Sequence, residues 1–211
     1  MNGKLLRQIL DKMLKGPVAQ DCKLRINKLV PKDVCDYFIK LFEENEKEAL
    51  PESSYKFKED KIKQDNFKCI NLTRLQHVDN YYKKPHDIAR NYIAIMIANY
   101  VAHIRKNICP TFNDLLLQKT DNIRILRYRV GERIEDHSDV GGTIRGSCTL
   151  NLNEDYEGGE FTFFNGRIKE VFKTGDCMIF PAEPIWIHGT EPITKGTRYS
   201  INCFLKNDRI T

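Results

Sequence analysis

Residues 159–171 read Gly-Glu-Phe-Thr-Phe-Phe-Asn-Gly-Arg-Ile-Lys-Glu-Val. Asn165-Gly166 stands between two runs of strand-forming residues, Gly159–Phe164 and Arg167–Val171. Asn and Gly tolerate the positive φ angles of a tight two-residue turn, so the stretch predicts a β-hairpin. The same texture extends outward in both directions. Strands are expected over Asn122–Arg129, Glu132–Asp136, Thr143–Asn151, Cys177–Pro181, Ile185–His188 and Thr197–Leu205. Turn residues separate them: Asn153-Glu154-Asp155, Gly158-Gly159 and Thr174-Gly175-Asp176. Many short strands at regular spacing predict a sandwich or barrel.

The first half of the chain reads differently. Residues 22–30 alternate like a strand. Pro31 then opens a helix to about Glu48, with Val34, Phe38, Leu41 and Phe42 on its apolar face. Pro51 to Asn66 reads as a polar loop and Lys68 to Leu75 as another strand. Lys84 to Lys106 is the longest expected helix, with Ile88, Tyr92, Ile95, Met96, Asn99 and Ala102 on its buried face. Met1 to Lys15 reads as an amphipathic helix rather than a signal peptide. Helices gathered ahead of strands predict an α+β fold, with helices covering the outside of one sheet. The 211 residues suit a single domain. Within it, residues 1–121 form a helical and strand support region and residues 122–206 the β core.

Bulk properties exclude several classes. No apolar run reaches the length of a membrane span. The net charge of +5 is spread over the chain and interleaved with acids, which disfavours a nucleic-acid partner. The seven cysteines are dispersed with no CxxC pair, so reduced thiols in a cytoplasmic setting are expected. Cys148, Cys177 and Cys203 lie in apolar strands and read as small core residues.

Chemistry concentrates at His137-Ser138-Asp139. Side chains two apart on an extended segment point to one face, so imidazole and carboxylate can reach one ion. His188, at the end of a predicted late strand, offers a third ligand. Two histidines and one carboxylate on one face of a metal form the facial triad of non-haem Fe(II) oxygenases. An HxD pair alone is weak, and its surroundings strengthen it. Arg198 lies ten residues beyond His188, and Ser200 and Asn202 share its face. An arginine inside a barrel needs an anionic partner, and a dicarboxylate held by its planar fork would supply one. Ser147, Thr149 and Asn151 give the preceding strand a small, polar face that suits a ligand pocket or, on an edge strand, water. The Tyr128 phenol is placed to assist Arg198 or to serve as a core tyrosine. Trp186 shares the face of His188, as a pocket wall or as barrel packing.

With these residues in place, residues 122–206 resemble the catalytic core of the Fe(II)/2-oxoglutarate-dependent dioxygenases, in the prolyl 4-hydroxylase-like branch. The matching stretches are Ile125–Gly131, His137-Ser138-Asp139, Leu152–Phe161, Gly175–Pro181, His188 and Thr197–Ile201. The resemblance implies a double-stranded β-helix (jelly-roll) with the N-terminal helices outside. It implies His137, Asp139 and His188 as iron ligands, and Arg198 with Tyr128 on the distal carboxylate of 2-oxoglutarate. Thr149, Asn151 and Ser200 would line that cosubstrate site. The implied reaction is O₂-dependent hydroxylation with release of succinate and CO₂, with ascorbate as reductant. The implied substrate is a prolyl or other amino-acid residue of a protein or peptide. Two positions depart from the branch: collagen-type enzymes usually carry lysine at Arg198, and many relatives carry tyrosine at Asn151. In this family the segment after the HxD and the long N-terminal loop often meet substrate; here these are Val140 to Gly146, including Arg145, and residues 51–66.

Two other functions use the same fold. A nucleic-acid demethylase typically has a second arginine late on the last strand, where this chain reads Tyr199-Ser200-Ile201-Asn202-Cys203-Phe204-Leu205. A non-catalytic binding module would not need all three ligand positions intact.

Overall fold

The computed structural model describes residues 19–52, 67–139 and 141–207. The helix expected over residues 1–15 and most of the loop expected over residues 51–66 lie outside them. The chain runs through β1 (Leu24–Ile26), α1 (Lys32–Glu44), β2 (Leu50–Glu52), β3 (Phe67–Asn71), α2 (Leu72–Leu75) and α3 (Lys83–Asn107). Strands then dominate: β4 (Lys119–Tyr128), β5 (Ile144–Asn151), β6 (Glu157–Gly158), β7 (Phe161–Phe163), β8 (Ile168–Glu170) and β9 (Cys177–Pro181). The last are β10 (His188–Thr190), β11 (Ile193–Lys195) and β12 (Arg198–Lys206). Seven strands form a major sheet in the order β1-β9-β5-β12-β4-β3-β2. The smaller sheets β10-β7-β8 and β11-β6 complete a double-stranded β-helix.

Strand alternation gives the major sheet two unlike faces. Ile123, Ile125, Cys148, Leu150, Ile201 and Cys203 turn outward and share one core with α1 and α3. Helix α1 contributes Cys35, Phe38, Leu41 and Phe42, all buried. Burying each aromatic of that set stabilises the fold by about 1.5–3 kcal/mol. A charged cluster fixes the register of α1 on the sheet. Arg127, 2% exposed, spans Glu43 at 3.1 Å and Glu46 at 2.7 Å, with its guanidinium over the Phe42 ring. The Tyr199 hydroxyl donates to Glu43 at 2.7 Å. The inward face meets a second cluster, Phe161, Phe163, Phe172, Met178, Phe180 and Trp186, lying between the sheets. Trp186 is therefore packing.

Several expectations change. Helix α3 buries Pro85, Ala89, Ile93, Met96, Tyr100 and Ile104, and leaves Ile95 44% exposed. Its apolar residues cover more than one face, and docking against β1, β4 and β9 selects the stripe. The expected strand over residues 68–75 stops at Asn71, whose side chain accepts from the Arg74 amide and caps α2. Residues 132–136 are extended but form no ladder strand; the single bridges Val130 with Ile193 and His137 with His188 pin the segment, together with the Glu132 and Ile134 carbonyls, which accept from the Ile193 and Thr190 amides. The hairpin at Asn165-Gly166 closes through a four-residue loop, since Phe163 pairs with Ile168. Phe164, Asn165 and Gly166 all take positive φ there. The late strand begins at His188 instead of ending there. Strands β6 and β11 are too short to show periodicity. No helix among the described residues is long and apolar enough to cross a membrane.

Candidate functional site

Between the two sheet layers lies a cavity of about 370 Å³. His137, Asp139 and His188 meet in its wall, their ligand atoms all within 4.8 Å of one another. His137 Nε2 lies 3.1 Å from Asp139 Oδ1, and His188 Nε2 lies 3.2 Å from Asp139 Oδ2. The Nδ1 atoms face outward from the site. That of His137 is 2.7 Å from the Glu135 carbonyl and that of His188 is 2.9 Å from the Trp186 carbonyl. A carbonyl can only accept, so Nδ1 carries a proton, and Nε2 is the nitrogen left to offer a lone pair to a metal once any proton it shares with Asp139 is displaced. Carbonyl-oriented imidazoles of this kind are the usual support of a metal-bound histidine. The donor set therefore fits a divalent first-row metal, with the cavity side of the ion left open.

Local structure places each group. His137 and His188 exchange backbone hydrogen bonds in a one-residue bridge. Asp139 follows two residues on, and the Ser147 hydroxyl of β5 donates to its Oδ2 at 2.5 Å. The His188 ring stacks on Phe161 at 5.5 Å and 9°. Charge coupling is strong. Burial and its two histidine partners act in opposite directions on Asp139, and the partners win, holding its carboxyl well below the carboxylate range. Burial opposes protonation of His137, yet the Asp139 hydrogen bond and charge raise it above its ordinary value.

Arg198 opens onto the other end of the cavity. It is 2% exposed, and its Nε donates to Asn151 Oδ1 at 3.2 Å. Its terminal amino groups have no protein partner among the described residues. Tyr128 is its cross-strand neighbour, with the guanidinium 5.5 Å from the ring centre. Burial pushes the Tyr128 phenol up to about 12, against the pull of Arg198, so it stays a donor. Asn151 also accepts from the Tyr156 hydroxyl at 3.2 Å and donates to the Asn153 carbonyl. Thr149 and Ser200 line the cavity and direct their hydroxyls to Asn202 Oδ1. Arg145 turns back onto the Gly142 and Ile144 carbonyls.

The sequence pattern brought the triad, Arg198, Tyr128, Thr149 and Ser200 to one cavity. It did not single out Ser147 as the partner of Asp139, nor Tyr156 behind Asn151. It also passed over Arg124, which lines the same cavity from β4. Period-two alternation back from Tyr128 would have placed Arg124 on the inner face.

Residues 123–206 match the model of the family described as the 2OG-Fe(II) oxygenase superfamily. No curated protein sequence matches the chain. Among solved structures, a prolyl hydroxylase of Trichoplax adhaerens, in complex with a hypoxia inducible factor oxygen degradation domain peptide fragment, superposes with a TM-score of 0.63. The identity is 11%, over 98% of this chain and 90% of that one. A viral collagen prolyl hydroxylase of Paramecium Bursaria Chlorella virus-1 gives 0.59 at 14% identity, over 90% of this chain and 99% of that one. A prolyl-4-hydroxylase of Pseudomonas putida gives 0.59 at 16%, over 95% and 98%. Residues 123–206 are thus similar to the 2OG-Fe(II) oxygenases, and the chain has the fold that the prolyl hydroxylases share.

Proposed function

We propose that the chain hydroxylates a prolyl or other amino-acid residue of a protein or peptide, consuming 2-oxoglutarate and O₂ and releasing succinate and CO₂. The observation that carries this reading is the pairing of two features in one cavity. A His137–Asp139–His188 cluster stands at one end, and a buried arginine without a carboxylate partner among the described residues stands at the other. The cluster would hold Fe(II). Bound there, iron, 2-oxoglutarate and O₂ supply the oxidising power, with ascorbate as the reductant that keeps the iron ferrous.

The chain's own contribution is binding, orientation and exclusion of water. His137 and His188 offer neutral nitrogens, and Asp139 offsets two units of metal charge by one. Arg198 and the protonated Tyr128 present donors to a distal carboxylate, and Asn151 holds Arg198 by its Nε. Phe161, Phe163 and Phe180 wall the histidine side with apolar surface. A peptide substrate is favoured by the open cavity and by the neighbouring fold whose solved complex contains a peptide. The seven free thiols suit a reducing, cytoplasmic setting.

The deciding experiment follows succinate formation by the iron-loaded protein. It compares proline-rich peptides, lysine-containing peptides, free amino acids and methylated oligonucleotides. Faster turnover with a peptide, together with a 16-Da mass gain on it, supports the proposal. Turnover stimulated only by oligonucleotides would replace it with the demethylase reading. Neither succinate nor 2-oxoglutarate binding would remove it altogether.

A further inference from the structure

The cavity holds a second guanidinium that the cosubstrate reading does not use. Arg124 lies on the inner face of β4, in register with Asn202, which is itself in register with Thr149. The Arg198–Tyr128 row is four residues away along the strands, roughly 13 Å. The Ser147–Phe204 row, whose serine holds Asp139, is two residues away in the opposite direction. Arg124 thus stands on the metal side of the cavity, remote from the distal carboxylate site.

Its side chain is built into place. Glu52 Oε1 of β2 pairs with its Nη1 at 3.0 Å, and the Cys69 thiol donates to Glu52 Oε2 at 2.9 Å. The guanidinium lies 5.2 Å from the centre of the Phe204 ring. Yet Nε, fully buried, has no hydrogen-bond partner among the described residues. A buried donor left unpaired is costly, and Arg124 lines the cavity, so an acceptor that enters there can pair it. Glu52 already balances the positive charge, so a second carboxylate would meet repulsion from Glu52. A neutral acceptor fits: the oxygen of an amide carbonyl.

We propose that Arg124, held by Glu52 and Phe204, is a substrate-positioning residue that donates a hydrogen bond to an amide carbonyl of the bound peptide. The inference rests on the peptide reading of the function and specifies how the peptide is held. A structural alternative exists, in which Arg124 only ties β2 to β4 through Glu52. Arg124→Lys separates the two, because lysine keeps the ion pair and loses the Nε donor.

The test measures binding without turnover, using anaerobic protein loaded with Mn(II) and 2-oxoglutarate. The probes are end-capped proline-containing pentapeptides and their ester analogues, in which one amide at a time becomes an ester with a weaker carbonyl acceptor. One ester position should weaken binding to the wild type about fivefold, a typical single hydrogen bond. Arg124→Lys should lose the same factor on the amide peptide and show no further loss on that ester. Glu52→Gln should raise affinity for a peptide carrying a glutamate in place of the residue at that position. Equal peptide affinity for wild type and Arg124→Lys overturns the proposal, as does full ester sensitivity in Arg124→Lys. Absence of peptide binding to the wild type overturns it together with the peptide reading. Binding with this pattern but no hydroxylation by the iron-loaded enzyme supports the subsite and removes the reaction reading alone.

Discussion

The amide of His137 donates to the His188 carbonyl at 2.9 Å, and the amide of His188 donates to the His137 carbonyl at 2.8 Å. Two residues that exchange both backbone bonds sit directly opposite each other across an antiparallel pair. Their imidazoles therefore emerge on one side, with ring centres 4.4 Å apart. The spacing of the two proposed nitrogen ligands is set by main chain and needs no ion. Metal binding then meets a preformed site.

From this it follows that removing a ligand side chain leaves the fold standing. His137→Ala and Asp139→Ala should each abolish turnover and cut metal affinity by more than a hundredfold, while the metal-free protein still folds, at a melting temperature lowered by loss of the His137–Asp139 pair. Ser147→Ala should act more mildly, lowering affinity about 10–100-fold by freeing the Asp139 carboxylate to rotate. Titration with Co(II), followed by its visible absorption, separates these levels. Wild-type affinity in Asp139→Ala would remove the carboxylate from the ligand set.

Proton competition gives the site a pH signature. Asp139 draws His137 above its ordinary value, so in the metal-free protein an imidazolium–carboxylate pair is favoured. A raised histidine contributes stability below its unfolded value, and that stability is lost as pH rises through the folded value. Metal must displace that proton. Affinity should accordingly fall as pH drops from 8 to 6, with protons released on binding. Calorimetry of metal binding in buffers of different ionisation enthalpy reports the release directly; zero release at pH 6.5 would contradict the coupling.

Gly189 guards the bridge from behind. A Cβ there would sit 2.9 Å from the Ile134 carbonyl and 2.7 Å from Asp136 Oδ1, in the segment leading to His137. A backbone neighbour cannot give way cheaply. Gly189→Ala should destabilise the protein by about 1–3 kcal/mol. It should also weaken metal binding, although residue 189 offers no ligand atom. Unfolding curves and Co(II) titration of the same sample test both halves.

The fold class and the residues gathered at the cavity were more legible than the bounds of individual strands. His137, Asp139 and Arg198 announce themselves because alternation along an extended chain fixes which side chains share a face. His188 was expected beside His137 and Asp139, where it lies, but was assigned to the wrong end of its strand, because Ile185 and Trp186 have strand-forming side chains yet lead in as a turn and extended backbone. The segment over residues 132–136 misleads for the opposite reason: it is extended, but isolated bridges and scattered bonds to Thr190 and Ile193 hold it, and a strand needs a continuous ladder. The pairing of Arg124 with Glu52 was hidden because the two are distant in sequence and only the β2-β3-β4 pairing brings them together. Helix α3 carries apolar residues on several faces, so its periodicity could not choose one.

At the far end of the cavity, Arg198→Ala should raise the 2-oxoglutarate concentration needed for half-maximal turnover at least a hundredfold, with metal binding unchanged. Asn151→Ala removes the acceptor of Arg198 Nε and of the Tyr156 hydroxyl, so Arg198 would lose its orientation. A hydrogen bond to a charged group contributes about 1.5–3 kcal/mol, so a smaller rise, roughly 10–100-fold, is expected. Steady-state kinetics in 2-oxoglutarate and a separate metal titration distinguish the two sites. An unchanged requirement in Arg198→Ala would sink the role given to that residue.

Acid stability should be governed in large part by Asp176, which joins β1 to the turn before β9. Its carboxylate accepts from Arg25 at 2.7 Å and from the Lys28 and Lys173 amides at 3.0 Å each, while only 3% exposed. Burial works against ionisation, but the Lys173 amide, Arg25 and the Lys28 amide outweigh it and hold the carboxyl below its ordinary value. A depressed carboxylate contributes stability above its unfolded value, near ~3.9, and loses it as pH falls through the folded value. Asp176→Asn keeps the shape and removes the charge. It should lower stability at pH 7 by about 1.5–3 kcal/mol, the scale of a charged hydrogen bond. Its stability should also fall less steeply than wild type between pH 5 and 2, so the two curves converge in acid. Urea unfolding across that range reads both slopes. Parallel curves would mean that Asp176 is not the group whose protonation loosens the attachment of β1, and Glu170, paired with Arg25 of β1 and with Lys23 just before it, would be the next to test.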